Sequence, residues 1–295
     1  MGVVYVVWGS TYLAIALVIE SMPPLVSLGL RFLVAAALLG TFLAVRQGSA
    51  VLRVPGPEIG GAMLVGTLLL GVGIGTVALA ERYVPSGVSA LIIAAVTLWV
   101  VVLRTVTGDR PSRITGLGVL VGMLGLAVLV EAGSQAGGGG AVAGAQRTWW
   151  SIAMVLGSGS WALGSFLQPR LRTPSHPAVL TCYEMLAGGL ALTLVGLARG
   201  ERFGGLAQGT GRSWLALLYL VTFGSLLAYS AYVWLLGNAP LSVVTTYAYV
   251  NPVVAVLLGW WVLAEPVTLG VVVGGLIILS GVVLVVRGER TPLPS

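Results

Sequence analysis

Residues Ser213–Ala264 read SWLALLYLVTFGSLLAYSAYVWLLGNAPLSVVTTYAYVNPVVAVLLGWWVLA, 52 residues without an Asp, Glu, Lys, Arg or His. At about 1.5 Å per residue, one helix of that length would far overshoot a hydrocarbon core about 30 Å thick. The stretch is therefore two helices, and Gly237-Asn238-Ala239-Pro240 supplies the break between them. It reads as a membrane-embedded hairpin with Asn251-Pro252 deep inside its second arm.

The rest of the chain has the same character. Of 295 residues, 57% are hydrophobic and 8% charged, with a mean hydropathy of +1.02, too little polar surface for a soluble domain of this size. The fold class expected is an all-α polytopic membrane protein. A net charge of +6 and a pI near 9.9 would raise nucleic acid as a partner in a soluble protein. Here the basic residues, all of them Arg, are scattered over short loops, which fits positive-inside topology and not nucleic-acid binding. The single cysteine, Cys182, excludes an intramolecular disulfide. The first apolar segment starts at Val3 without a basic leader, and Glu20-Ser21-Met22-Pro23 reads as a turn, so it is expected to be a retained helix.

Apolar runs set against charge and Gly/Pro punctuation give ten spans: 3–19, 25–45, 59–79, 85–104, 114–131, 149–168, 177–198, 213–236, 240–263 and 267–286. A Gly-rich stretch around Gly137-Gly138-Gly139-Gly140 has linker composition. It divides the chain into a first repeat (1–131), a linker (132–148), a second repeat (149–287) and a tail (288–295). Trp8, Pro24, Arg31 and Leu33 fall on Trp161, Pro177, Glu184 and Leu186 at an offset of 153. Pro85 and Pro111 fall on Pro240 and Pro266 at 155. Five spans per repeat is an odd number, so the second repeat enters the membrane from the opposite side, giving two inverted five-helix repeats. With both termini cytoplasmic, nine Arg residues lie inside and five outside, and Arg31 lies within a span.

Particular residues carry a family resemblance. Trp8-Gly9-Ser10-Thr11-Tyr12-Leu13-Ala14-Ile15, then Pro23-Pro24 and Leu30-Arg31-Phe32, resemble the opening of an EamA-like repeat of the drug/metabolite transporter superfamily. Ala239-Pro240-Leu241, Asn251-Pro252-Val253 and Glu265-Pro266 resemble the close of its second repeat. The resemblance implies a ten-helix transporter of small metabolites in the cell membrane, commonly an exporter, with a central cavity between its halves. The first repeat departs from the second, with Val96-Thr97 opposite Asn251-Pro252 and Gly108-Asp109-Arg110-Pro111 opposite Leu263-Ala264-Glu265-Pro266.

The candidate cavity residues follow from cost and spacing. Arg31 lies seven residues after Pro24, about 10 Å into its span, where a charge needs protein, water or an anionic substrate group. The alternative is that it snorkels to the interface or donates to backbone carbonyls. Glu184 holds the corresponding place, as a protonatable coupling residue or a carboxylate satisfied structurally; inverted halves set it too far from Arg31 for a salt bridge. Ser225, Tyr229 and Tyr232 share a helix face, as do Thr246 and Tyr249, and suit a moderately polar pocket if they are not packing alone. Trp8, Ser10 and Trp161 come from the first helix of each half. Asn251 offers donors and acceptors beside Pro252, which removes a helix hydrogen bond and marks a kink or gate.

Other features have plainer readings. Trp149, Trp150 and Trp214 read as interfacial anchors. Gly71-Val72-Gly73-Ile74-Gly75 lies within a span and follows no strand, so it is no nucleotide loop. Gly71 with Gly75, Gly118 with Gly122 and Gly270 with Gly274 are spaced for close helix packing. The competing function is a membrane-embedded enzyme acting on a lipid or peptide, with Gly157-Ser158-Gly159-Ser160 supplying a serine; the only His, His176, and the only Asp, Asp109, fall in loops. No cluster has metal-ligand spacing. The expected partners are a small-molecule substrate and membrane lipid, with no cofactor.

Overall fold

The computed structural model describes all residues except 109–111, 136–139, 240, 246 and 291–295. Asp109, Arg110, Pro111, Pro240, Thr246, the centre of the linker and the end of the tail thus lie outside the described residues. The described chain is helical throughout, with no strand. Its long helices are α1 (Gly2–Ile19), α2 (Pro24–Gln47), α3 (Gly56–Ala80), α4 (Ser86–Val106) and α5 (Arg113–Gln135). They continue with α6 (Gly140–Leu167), α7 (Pro177–Ala198), α8 (Gly211–Asn238), α9 (Tyr247–Leu263) and α10 (Leu269–Arg290).

Eight described helices are long and apolar enough to cross a membrane, and two shorter apolar helices, Arg113–Leu129 and Val250–Leu263, lie within α5 and α9. Outward-facing apolar side chains such as Phe42, Leu120, Leu156, Leu215, Trp261 and Leu269 would be untenable in water over so large an area. In lipid they are the natural exterior, and a helix satisfies its own backbone there. The chain is a multi-pass membrane protein.

Helix limits follow local chemistry. Pro24 and Pro177 sit in the first turns of α2 and α7, where no N–H partner is needed, and Thr210 Oγ1 accepts from Ser213 N at the start of α8. The Glu201 carboxylate accepts from the N–H groups of Leu25 and Val26 at the head of α2. Glu265 likewise accepts from Ser86 and Gly87 at the head of α4. Two acids of the second half thus cap two helices of the first. Helix occupies much of the stretch whose composition suggests a linker, because α5 runs on to Gln135 and α6 starts at Gly140 with an Ala-rich first turn.

Some helices are interrupted. A π-helical segment spans Thr67–Ile74 in α3 and another spans Leu220–Tyr229 in α8, starting 153 residues apart. α4 breaks at Ala94-Ala95, between Ser86–Ile93 and Val96–Val106. The second arm of the hairpin is likewise divided, into a short turn Leu241–Val244 and α9, which contains Pro252.

The packing has a regular plan. α1 packs on α8 and α9, while α6 packs on α3 and α4; α2 crosses α7, α4 crosses α9 and α5 crosses α10. Exchanging every helix for the one five places away leaves these pairs unchanged. Glycines allow the closest approach: a Cβ on Gly118 would meet Gly281 O at 2.7 Å, and one on Gly281 would meet Gly122 N at 2.5 Å, so α5 and α10 touch backbone to backbone. Gly71 and Gly75 of α3 face Ala191 and Leu192 of α7, as their spacing suggests.

Candidate functional site

α1, α2, α3, α4, α6, α8 and α9 converge on a central cavity that is open on one side. Its lining combines Trp8, Thr11 and Tyr12 of α1, Arg31 and Phe32 of α2, Ser158 and Trp161 of α6, Gly224 and Tyr229 of α8, and Tyr247 and Asn251 of α9.

The walls are aromatic. Trp8 meets Trp161 edge to face with centroids 5.5 Å apart, and meets Tyr247 the same way at 5.2 Å. Trp8 and Trp161 stand 153 residues apart, so the first helix of each half delivers an indole to the same place. Behind them lies Tyr232, whose hydroxyl accepts from Trp161 Nε1 at 3.0 Å and is 2.6 Å from Ser165 Oγ. These bonds hold the Trp161 ring at a fixed angle to the cavity.

Arg31 is 3% exposed, so it does not snorkel outward. Its Nε donates to Ser225 Oγ at 2.8 Å, and its guanidinium carbon lies 4.6 Å from the Phe32 ring centroid. A Cβ on Gly224 would stand 2.8 Å from Nη2, so the guanidinium packs directly against the backbone of α8 there. Nη1 is buried and has no hydrogen-bond partner among the described residues.

Glu184 is fully buried and stands behind the wall, where its Oε2 accepts from Tyr229 OH at 3.0 Å while Oε1 has no partner. Ser225 and Tyr229, four residues apart on the π segment of α8, therefore hold the two charged side chains separately. Among the described residues Arg31 and Glu184 form no ion pair.

Of the residues singled out from sequence, Trp8, Arg31, Trp161, Tyr229 and Asn251 line the cavity. Glu184, Ser225 and Tyr232 support that lining from behind. Ser10 lies elsewhere, donating to Val7 O and meeting the Tyr219 hydroxyl at the α1–α8 contact. Pro252 lines a separate apolar crevice with Val253, Val256, Val271 and Gly275. Thr246 is outside the described residues, as is the side chain of Tyr249. With its amide nitrogen turned inward, Asn251 donates to Tyr5 O at 2.8 Å and Tyr247 O at 3.3 Å, tying α9 to α1.

Sequence reading passed over Thr11, Tyr12, Gly224 and Tyr247. The signal existed: Tyr12 follows Trp8 by four residues and Tyr247 precedes Asn251 by four, placing each on the same helix face. The serines of the competing enzymatic reading donate to backbone, Ser158 Oγ to Val155 O at 2.7 Å and Ser160 Oγ to Leu68 O at 2.9 Å.

Comparison with known proteins agrees with this architecture. The profile of the EamA-like transporter family matches residues 2–131 and again residues 148–287. The chain is 38% identical over 256 residues to the "Uncharacterized inner membrane transporter YedA" of Escherichia coli strain K12, covering 86% of this chain and 79% of that one. It is 27% identical over 305 residues to the "Probable amino-acid metabolite efflux pump" of Salmonella typhimurium, covering 97% and 93% respectively. A solved crystal structure shares the fold with a TM-score of 0.69 at 19% identity, over 98% of this chain and 96% of that one.

Proposed function

The chain belongs to the EamA-like transporter family, and we propose that it carries a small organic metabolite or drug across the cell membrane, outward, by alternating access. The observation that carries the proposal is the cavity. It lies where helices of both halves meet, and its polar groups are few and convergent. Trp8, Arg31, Trp161, Tyr229 and Asn251 are the proposed solute contacts.

The two sets of five helices are proposed to be inverted repeats, with both termini cytoplasmic. An odd number of crossings per set, the exchangeable packing pairs and the excess of Arg on the inner loops support this arrangement. Rocking one set against the other about the cavity would open it to either side in turn. The Salmonella typhimurium relative is named an efflux pump, which supports the outward direction.

Reconstitution into proteoliposomes tests the function. Concentration-driven flux of hits from a metabolite stabilisation screen is the expected result, since a ligand of the native state raises apparent stability. Turnover of a lipid or peptide without flux would overturn the reading.

A further inference from the structure

We propose that the central cavity selects a solute of net negative charge, a carboxylate on an apolar or aromatic body without an ammonium group, anchored by Arg31. This names the substrate class of the carrier proposed above and rests on that reading.

Arg31 is the charged side chain in the lining, and no Asp or Glu lines the cavity among the described residues. A buried guanidinium without a counter-charge is costly, and packing alone would be served better by an apolar side chain. The fold nevertheless accommodates it: Ser225 fixes Nε, Phe32 lies against the guanidinium, and the backbone at Gly224 is stripped of a side chain where Nη2 passes. What remains is the outer end of the guanidinium: Ser225 on Nε is its one hydrogen-bond partner among the described residues, Nη1 is buried without a partner, and the side chain lines the cavity. A carboxylate satisfies both the donor and the charge, and a planar guanidinium is the side chain best suited to it.

The solute's body is set by the walls. Trp8, Phe32, Trp161 and Tyr229 present ring surface around the cavity, which suits an aromatic or branched aliphatic group. Its net charge is set by what is missing from the lining. Of the buried acids nearby, Glu184 stands behind Tyr229 and Glu81 lies within electrostatic reach of Tyr12, and neither lines the cavity. A zwitterion's carboxylate would meet Arg31, but its ammonium would then stand without a counter-charge in a low-dielectric site. A simple carboxylate neutralises Arg31.

The test uses the purified full-length protein in detergent and four probes of similar shape: 3-phenylpropanoate, phenylalanine, 3-phenylpropan-1-ol and phenethylamine. Binding is read by thermal stabilisation and tryptophan fluorescence. The expected order places 3-phenylpropanoate at least about tenfold tighter than each of the others, since each 1.4 kcal/mol is tenfold and a charge-assisted bond supplies that much. Arg31→Gln should abolish that preference by bringing the carboxylate down to the level of the alcohol on the same variant, while Arg31→Lys restores it in part. Equal binding of phenylalanine, the alcohol or the amine by the wild-type protein overturns the proposal, as does absence of carboxylate binding; neither outcome depends on a variant that folds. Flux is followed in parallel. Carboxylate binding that depends on Arg31 but gives no flux would keep the anchor and overturn the carrier reading. Flux of the amine or alcohol that is indifferent to Arg31→Gln would keep the carrier and overturn the anchor.

Discussion

Tyr229 touches both the cavity and the buried acid behind it, so the Tyr229–Glu184 bond is where a charge outside the lining can communicate with it. Tyr229→Phe removes the donor and leaves both oxygens of Glu184 unpartnered, at an expected cost of about 1–3 kcal/mol, measurable as a lowered Tm in detergent. If Glu184 binds the coupling proton, Glu184→Gln will transport without responding to an imposed pH gradient; gradient dependence unchanged from wild type would show that it does not. A second acid contributes to the pH response of stability. Glu81, just after α3, has both carboxylate oxygens buried without a partner although its stem is partly exposed. Burial foremost, and then the nearby charge of Glu265, hold its carboxyl well above the ordinary glutamate value. The native state therefore binds a proton that the unfolded chain has released, and stability falls as pH rises above the ordinary glutamate range. Glu81→Gln is expected to flatten that decline, so Tm measured from pH 5 to pH 8 should fall less steeply than in wild type.

Among the elements, the crossing of α5 with α10 depends on the absence of side chains. Gly281→Leu would force apart backbones that now touch through Gly118 and Gly122. Overpacking of this kind costs about 1–3 kcal/mol or more, so a marked drop in Tm is expected, with Gly281→Ala falling between. The caps supplied by Glu201 and Glu265 are a second element-scale device, because each joins a loop of the second half to a helix start in the first. The limits of α2, α3, α7 and α8 were legible in the sequence, since proline, charge and apolar length act locally. The π segments and the break at Ala94-Ala95 were not, because nothing in Leu220–Tyr229 distinguishes a π turn from an α turn until neighbouring helices fix the backbone. The π turn matters to the site, since it presents Gly224, Ser225 and Tyr229 to Arg31 and Glu184.

On the scale of the whole molecule, an inverted pair of five-helix sets requires both termini on one side. A C-terminal fluorescent-protein fusion should fluoresce and the corresponding alkaline phosphatase fusion should be inactive; the reverse result would place the C-terminus outside. The sequence by itself determined that the chain lives in lipid, because 8% charged residues cannot cover a soluble surface. It also located the helices, and the constant spacing of Trp8 with Trp161 and Pro24 with Pro177 revealed two related halves. Only the tertiary structure decided which side chains meet. The hairpin of Ser213–Ala264 sends Tyr229 and Asn251 to the cavity but turns Pro252 toward an apolar crevice. Arg31 is left buried with Nη1 unpartnered. Burial and pairing depend on contacts between helices far apart in sequence, and a helix's own periodicity says which residues share a face without saying what that face will meet.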